Sequence, residues 1–155
     1  MPNVPNKNAE ADGRFIEEVA RLLVPWGVPQ TAARIYGRLV LSAEPVSLDQ
    51  LAIDLEVSKS SASVAARTLE TYRMVRRHSV RGSRRVLYEV SDSYERLLIE
   101  QGRVMVAMGD LLRGQARKTS SRTARERLKE MAEFYEVVRE SMESALQRWQ
   151  RRKTS

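Results

Sequence analysis

Short hydroxyl side chains and guanidinium groups are concentrated between residues 59 and 85, where they could hold the phosphates and base edges of a nucleic acid. Of the 27 Lys and Arg residues in the chain, eight fall in this window together with a single acidic residue, and the remaining charges balance. The serines can donate to phosphate or base, Val64 could lie against a thymine methyl group, and Arg67 could reach a guanine or a phosphate. The window therefore predicts a polyanion-binding surface.

Two short helices must position the hydroxyl and guanidinium groups of this window. Ser47 and Gln50 form a capping box that opens the first helix, whose apolar side chains are directed inward. Ser58 can cap the second helix, which we predict to run from residue 59 to about residue 72. Its inward stripe consists of Ala62, Ala66 and Leu69. The opposite face then carries the serines and Arg67, and the N-terminal turn of the helix favours an anion.

A basic hairpin follows the second helix. Residues 75–80 and 85–90 read as strands around a Gly82-Ser83 tip, and arginines beside such a tip suit the phosphate backbone or the minor groove. Two simpler interpretations stay open, because a serine can merely cap a helix and a basic hairpin can be a solvated surface. The order of turn, helix and wing favours DNA. The side chains expected to contact double-stranded DNA are Lys59, Ser60, Ser61, Ser63, Val64, Arg67, Arg77, Arg81, Ser83, Arg84 and Arg85.

Long amphipathic helices flank this segment. They are predicted at residues 9–23, from about 94 to 113 with a break at Gly114, and at 124–149, where apolar residues recur at alternating spacings of four and three. A protein that binds two symmetric DNA half-sites needs a rigid connection between its two DNA-binding domains, so we expect a homodimer. The alternative is that the last helix folds back onto its own subunit. The candidate dimer-interface residues are Phe15, Val19, Leu22, Leu128, Met131, Tyr135, Val138, Met142 and Trp149.

The expected fold is mainly α with a small β-wing, a winged helix-turn-helix that carries long N- and C-terminal dimerisation helices. The predicted organisation begins with a disordered tail at residues 1–8 and N-terminal helices at 9–43 that serve dimerisation and the core. The DNA-binding domain follows at 44–90, the C-terminal dimerisation helices at 91–150 and a short tail at 151–155.

Several kinds of chemistry are excluded. The chain has no cysteine and a single histidine, His78, so neither a histidine-based triad nor the usual zinc site can form, and it has no glycine-rich phosphate loop. We therefore expect no enzyme, no metal and no cofactor, and His78 at the surface or on a phosphate rather than as a pH switch. No apolar run approaches the roughly 20 residues of a membrane span, and residues 1–8 lack the apolar core of a signal peptide. A cytoplasmic protein without a membrane partner is expected.

Several motifs stand out along the chain: Trp26-Gly-Val-Pro29, Ala33-Arg-Ile-Tyr-Gly-Arg-Leu39, Glu44-Pro-Val-Ser-Leu48, Val57-Ser-Lys59 and Arg81-Gly-Ser-Arg-Arg85. Over roughly residues 10–115 the chain thereby resembles the GbsR-type branch of the MarR superfamily of winged helix-turn-helix transcriptional regulators. The resemblance implies an obligate dimer that binds DNA, usually as a repressor, with terminal helices at the dimer interface. It also implies that residues 59–67 lie on the recognition helix and residues 81–85 in the wing.

Two positions depart from the family's pattern. Arg73 stands where the family commonly has the glycine that ends the recognition helix, and Ala62 replaces a larger apolar residue. Neither change removes the fold, but both blur the expected DNA sequence preference.

The expected function is sequence-specific binding to a pseudo-palindromic operator by a homodimer, with release by a small-molecule effector as an open question. The resemblance implies a choline-like cation, which would need an aromatic cage. The available aromatic residues fit core packing better, so no ligand residue is assigned. The alternative function is a winged-helix scaffold whose basic face docks an acidic partner protein. The serine-rich helix face favours DNA, because a docking helix would offer larger apolar anchors.

Overall fold

The computed structural model describes residues 7–155, and the chain divides into two compact units between Asp92 and Ser93. The first unit contains helices α1 (Lys7–Leu23), α2 (Gln30–Val40), α3 (Leu48–Asp54) and α4 (Lys59–Thr71), the 3-10 turn Val24–Trp26, and strands β1 (Val46–Ser47), β2 (Val75–Ser79) and β3 (Val86–Val90). The second unit consists of α5 (Tyr94–Lys118) and α6 (Arg122–Lys153). The predicted fold class, mainly α with a small β-wing and long terminal helices, is confirmed.

Helix α2 lies at the centre of the first unit. Its Ile35 is completely buried and packs in one cluster with Leu51 of α3 and Leu69 of α4. Burying each aliphatic side chain of this size contributes roughly 1.5–3 kcal/mol. Gly37 lets α1 approach closely, because a Cβ at this position would lie 3.1 Å from the Cα of Ile16. This core holds α3 and α4 in place, and the outer surface of α4 is left to solvent.

The sheet is antiparallel with strand order β1-β3-β2. Strands β2 and β3 form the predicted hairpin, each one residue shorter at the tip than expected. Strand β1 was not predicted, because two residues carry no visible alternation. Its Ser47 lies opposite Leu87 in the sheet, and its Oγ accepts a hydrogen bond from the backbone N of Gln50 at 3.1 Å. The Gln50 side chain instead donates to Asp54, so only half of the predicted capping box forms.

Two residues after the end of α3 and of α4 the chain enters the left-handed region, at Glu56 with φ 54° and at Arg73 with φ 61°. After α4, the N–H of Arg73 donates to the carbonyl of Glu70 and the N–H of Met74 to that of Leu69, both at 3.0 Å, which is the Schellman pattern. This conformation costs a residue with a Cβ roughly 1–2 kcal/mol, and glycine avoids the cost. The departure at Arg73 therefore falls at a position where glycine is physically favoured.

The second unit is an antiparallel helical hairpin. Lys153 Nζ lies 2.8 Å from Glu95 at one end, and the Arg113 guanidinium lies 3.1 Å from Glu136 nearer the turn. Helix α5 continues through Gly114, which was expected to break it, and only residues 119–121 separate it from α6. The helices pack through small or medium side chains that are buried, namely Gly109, Leu112, Ala116 and Ala132.

The helix ends differ from the predicted tails. Lys7 and Asn8 already belong to α1, and residues 151–153 continue α6. Residues 1–6 of the predicted disordered tail lie outside the described residues. Between residues 7 and 155, no helix combines the length and the apolar character needed to cross a bilayer.

Candidate nucleic-acid interface

Helix α4 separates an apolar face from a polar one. Its buried side chains are Ala62, Ala65, Ala66 and Leu69, as the predicted inward stripe required. On the opposite side Ser60, Ser61 and Arg67 are exposed, Ser63 is half-buried, and Val64 remains 66% exposed. An apolar side chain at this exposure gains little from folding. The outer face of α4 thus offers hydroxyls, one guanidinium and one aliphatic group to a partner.

The hydroxyls of this face do not all serve as helix caps. Ser58 is the N-cap: its Oγ accepts from the backbone N of Ser61 at 3.1 Å and donates to the Ser61 hydroxyl at 2.8 Å. Within the described part of the chain, the hydroxyls of Ser60 and Ser63 make no hydrogen bond to protein. Capping therefore accounts for Ser58 and involves Ser61, whereas it leaves Ser60 and Ser63 available.

Lys59, the first residue of α4, forms an ion pair that the sequence did not reveal. Its Nζ lies 2.8 Å from Oδ1 of Asp49 on α3, and both side chains are more than half exposed. Exposed pairs of this kind contribute only about 0–1 kcal/mol. A phosphate could therefore replace Asp49 as the partner of Lys59 at little cost.

The hairpin presents two different faces. Arg77 lies opposite Tyr88 in the sheet, on the same side as buried Val75, because side chains alternate along a strand. Burial raises the pKa of the Tyr88 phenol, and the nearby Arg77 and Arg67 oppose that rise. Arg77 thus lies on the side of the sheet that faces α4, close to the same tyrosine as Arg67.

The other face of the hairpin carries a neutralised cluster. Oε1 of Glu89 lies 2.7 Å from Nε2 of His78 and 2.7 Å from one guanidinium nitrogen of Arg76. A second nitrogen of the same guanidinium lies 3.3 Å from Asp92. Hydrogen bonding to His78, and then the Arg76 charge and hydrogen bond, lower the pKa of Glu89. His78 is thus at the surface, as expected, but held by a carboxylate on the face away from α4.

The tip of the hairpin is a tight turn. Gly82 has φ 78°, which favours glycine, and the N–H of Ser83 donates to the carbonyl of Val80 at 3.0 Å. The Ser83 hydroxyl accepts from the backbone N of Arg85 at 3.0 Å and so helps to shape the turn. The guanidinium groups at this tip are exposed, and none forms an ion pair with another described residue; they belong to Arg81, Arg84 and Arg85.

The predicted dimer-interface residues lie in both units. In α1, Phe15 and Leu22 are exposed and Val19 is half-buried, with its Cβ 3.3 Å from where a Gly37 Cβ would stand. In α6 the half-buried members are Leu128, Tyr135, Val138 and Met142, and the more exposed ones are Met131 and Trp149.

Helix α6 packs against α5 of its own chain along a stripe that includes the buried Ala132. The Trp149 ring stands edge-on to Tyr94, with centroids 6.0 Å apart. Part of the predicted seam is therefore occupied within the subunit, as the alternative interpretation of the last helix held. The interface set stays a prediction.

Comparison with known proteins agrees with this architecture. Residues 92–152 match the family of MmpR5-like MarR family transcriptional regulators. In Bacillus subtilis strain 168, YvaV, assigned as an HTH-type transcriptional regulator, is 28% identical over 90 residues, which are 58% of this chain and 51% of YvaV. The HTH-type transcriptional repressor OpcR of the same strain is 26% identical over 89 residues, 57% of this chain and 48% of OpcR. The chain thus spans about half the length of the curated relatives it matches.

One solved structure, a crystal structure of a transcriptional regulator, is similar across 91% of this chain and 99% of that chain, with a TM-score of 0.78 and 23% identity. That likeness shows the fold. Together the comparisons show that parts of the chain are similar to MarR family and other HTH-type transcriptional regulators, and that its fold is similar to that of a solved transcriptional regulator. The proteins matched are regulators and not enzymes, which agrees with the prediction that the chain has no enzymatic activity.

Proposed function

We propose that this MarR-like winged-helix chain binds double-stranded DNA sequence-specifically and thereby regulates transcription. Helix α4 enters the major groove and the β2–β3 hairpin acts as the wing. The observation that carries this proposal is the outer face of α4, where Val64 stands 66% exposed among unoccupied hydroxyls and Arg67. Such a face does little for stability but matches base edges, which offer hydrogen-bonding groups and thymine methyl groups side by side.

Each candidate residue has a proposed role. On α4, Ser60, Ser63, Val64 and Arg67 read or approach base edges, while Lys59 and Ser61 contact phosphate near the start of the helix. Arg77 supports the same surface from the sheet. The wing holds the backbone or the minor groove through Arg81, Ser83, Arg84 and Arg85.

The finer parts of the proposal concern assembly and regulation. We place the chain in the GbsR-type branch and propose a homodimer on a pseudo-palindromic operator. The homodimer is proposed because the helical hairpin of α5 and α6 leaves Leu111, Phe134 and Val137 more than half exposed. Repression is the proposed direction, in keeping with OpcR, which is named a transcriptional repressor. Release by a small-molecule effector and a cytoplasmic location complete the proposal.

The test begins with genomic DNA fragments retained by the full chain at moderate salt. Replacing Arg84 and Arg85 by Ala should weaken binding to every retained sequence and reduce the slope of log K against log salt by about 0.9 for each phosphate that the wing no longer neutralises. Changing Arg67 to Ala should instead relax discrimination at one base position by roughly 1–3 kcal/mol.

Arg76→Ala is the control for the wing, since it removes from the same hairpin a cation that is already paired with Glu89 and Asp92. We expect it to leave affinity close to that of the parent. If the double wing variant binds as tightly as the parent, the wing assignment is wrong. If no fragment is retained at moderate salt, the scaffold function, with an acidic protein as partner, becomes the better proposal.

A further inference from the structure

A second concentration of positive charge lies in the second unit. Between residues 113 and 129 the chain has seven Arg or Lys residues and one acidic residue, Glu126. The balance of charge outside residues 59–85 conceals this cluster, because acidic residues elsewhere offset it. We propose that residues 117–129, the hairpin tip, form a second polyanion-binding surface, which holds the phosphate backbone of DNA outside the part read by α4 and the wing. This inference rests on the proposed function.

The geometry of the hairpin brings these cations together. Helix α5 ends at Lys118 and α6 begins at Arg122, so the last turn of one helix and the first turns of the other share one end. At 1.5 Å per residue, residues 122–129 extend only about 11 Å along α6. Four exposed cations at this end have no acidic partner among the described residues, namely Arg117, Lys118, Arg127 and Lys129.

Some cations elsewhere in the hairpin are paired, whereas Arg96, Arg148, Arg151 and Arg152 have no acidic partner among the described residues and so provide a comparable set. Arg139 lies 2.6 Å from Glu136 and 2.8 Å from Glu143, and Lys153 lies 2.8 Å from Glu95. Those pairs join turns of a helix or join the two helices, so they have a structural role. The four cations of the hairpin tip have no such role among the described residues.

The start of α6 is also electrostatically unfavourable on its own. Its first turn contains no acidic residue but includes Arg122 and Arg125, whereas a helix N-terminus favours negative charge. Arg125 donates to the carbonyl of Thr119 at 3.1 Å and so closes the end of α5, and Arg122 pairs with Glu126 at 2.9 Å. These contacts offset part of the unfavourable charge, and a bound polyanion would offset the rest.

The chemistry of the hairpin tip indicates which polyanion. No large apolar side chain is exposed in the fully described stretch 112–130; the nearest are Leu111 and Met131 on either side. A protein partner would need such anchors, whereas a phosphate backbone needs only cations and hydrogen-bond donors. The turn adds the exposed hydroxyl of Ser120, while the hydroxyl of Thr119 donates to the Gln115 carbonyl and that of Ser121 caps α6. The surface is therefore suited to DNA rather than to a protein.

The experiment compares two variants of the full chain that lose the same charge. In the tip variant Arg117, Lys118, Arg127 and Lys129 become Gln; in the control Arg96, Arg148, Arg151 and Arg152 become Gln. Each is titrated with the shortest duplex that the parent retains, about 20 base pairs, and with that duplex extended by about 15 base pairs on each side. Circular dichroism and sedimentation report folding and oligomeric state.

We expect the tip variant to bind the short duplex like the parent and the long duplex roughly tenfold more weakly at moderate salt, with a smaller salt slope on the long duplex only. The control should follow the parent on both. Equal binding by tip variant and parent to both duplexes would overturn the inference. So would a dissociated oligomer with equal losses on both duplexes, because the hairpin tip would then face a second copy of the chain.

Failure of the proposed function gives a different result. In that case the parent shows no preference for any fragment, and Arg84→Ala/Arg85→Ala has no effect. The comparison of tip variant and control then uses unrelated duplexes of the same two lengths. A tip variant that equals the parent on these would again refute the inference, while a selective loss on the long duplex would support it.

Discussion

The two units of this chain differ in how far they bury their apolar side chains. The first unit buries Ile35, Leu51 and Leu69 in one continuous core and turns mainly charged or hydroxyl groups outward from α4 and the wing. The second buries mostly small side chains between two helices and leaves Phe134 64% and Leu111 68% exposed. The first unit has the means to be stable by itself, whereas a two-helix hairpin with this much apolar surface needs further packing. The difference matches the two proposals, in which the first unit binds a polyanion and the second unit associates with a second copy of the chain.

The largest predicted effect concerns the core of the first unit. Ile35→Ala should destabilise the unit by roughly 2–5 kcal/mol, because the completely buried side chain leaves a cavity. Ile53→Ala is the matched control, since Ile53 is 70% exposed, and it should change stability by less than about 0.5 kcal/mol. Urea unfolding followed by circular dichroism measures both. Similar losses for the two variants would contradict the assigned core.

The apolar face of the second unit provides the next test. Phe134→Ser together with Val137→Ser should weaken self-association by about 2 kcal/mol, because both side chains are more than half exposed in the single chain. Sedimentation equilibrium over a range of concentrations measures the effect. Glu133→Ser, a neighbouring change on α6, serves as control. An unchanged association constant in the double variant would mean that this face is not the dimer interface.

A smaller effect is expected at the end of α4, with the opposite sign. Arg73→Gly should stabilise the first unit by about 1 kcal/mol, because φ 61° suits glycine and strains a residue with a Cβ. Arg73→Ala separates strain from charge, since it removes the guanidinium but keeps the Cβ. Thermal unfolding should thus show a higher Tm for the glycine variant alone. Equal stabilisation by alanine would assign the effect to the charge.

The smallest effect is a pH dependence in the second unit. Hydrogen bonds from Arg139 and then Arg113 lower the pKa of Glu136. A carboxylate with a depressed folded-state pKa contributes stability above its unfolded pKa, about 4.3, and loses it as pH falls through the folded value. Glu136→Gln should therefore reduce stability at neutral pH but flatten its decline below about pH 5. Glu133→Gln, with the same charge change, should keep the parent's acid profile in thermal unfolding.

Much of the first unit could be predicted from the sequence because its signals are local. Periodicity placed α4 and its inward alanines, and the Gly82-Ser83 tip placed the wing. The helix ends and β1 were harder to predict from the sequence. Val46 and Ser47 become a strand only through pairing with β3. Local signals determine helices and turns, while contacts across the fold determine the strand.

The candidate site was harder to predict in detail. The separation of Arg77 from Arg76 onto opposite faces follows from strand alternation, but Asp49 as partner of Lys59 depends on how α3 and α4 pack. The availability of Ser60 and Ser63 also needed the structure, which assigns the cap to Ser58. In the second unit, alternating apolar spacing indicated a packed seam without telling whether α5 or another subunit covers it.

Ser47 has a consequence for the speed of the DNA recognition that we propose. Its backbone pairs with β3 of the wing while its hydroxyl caps α3, so one residue couples the wing to the helix that supports α4. The spacing between the cations of α4 and those of the wing, which we propose to contact DNA, is thus established when the chain folds and not when DNA binds. A preorganised reader loses little conformational entropy on association. Its encounters with DNA should then be limited by orientation and salt rather than by slow ordering of the wing.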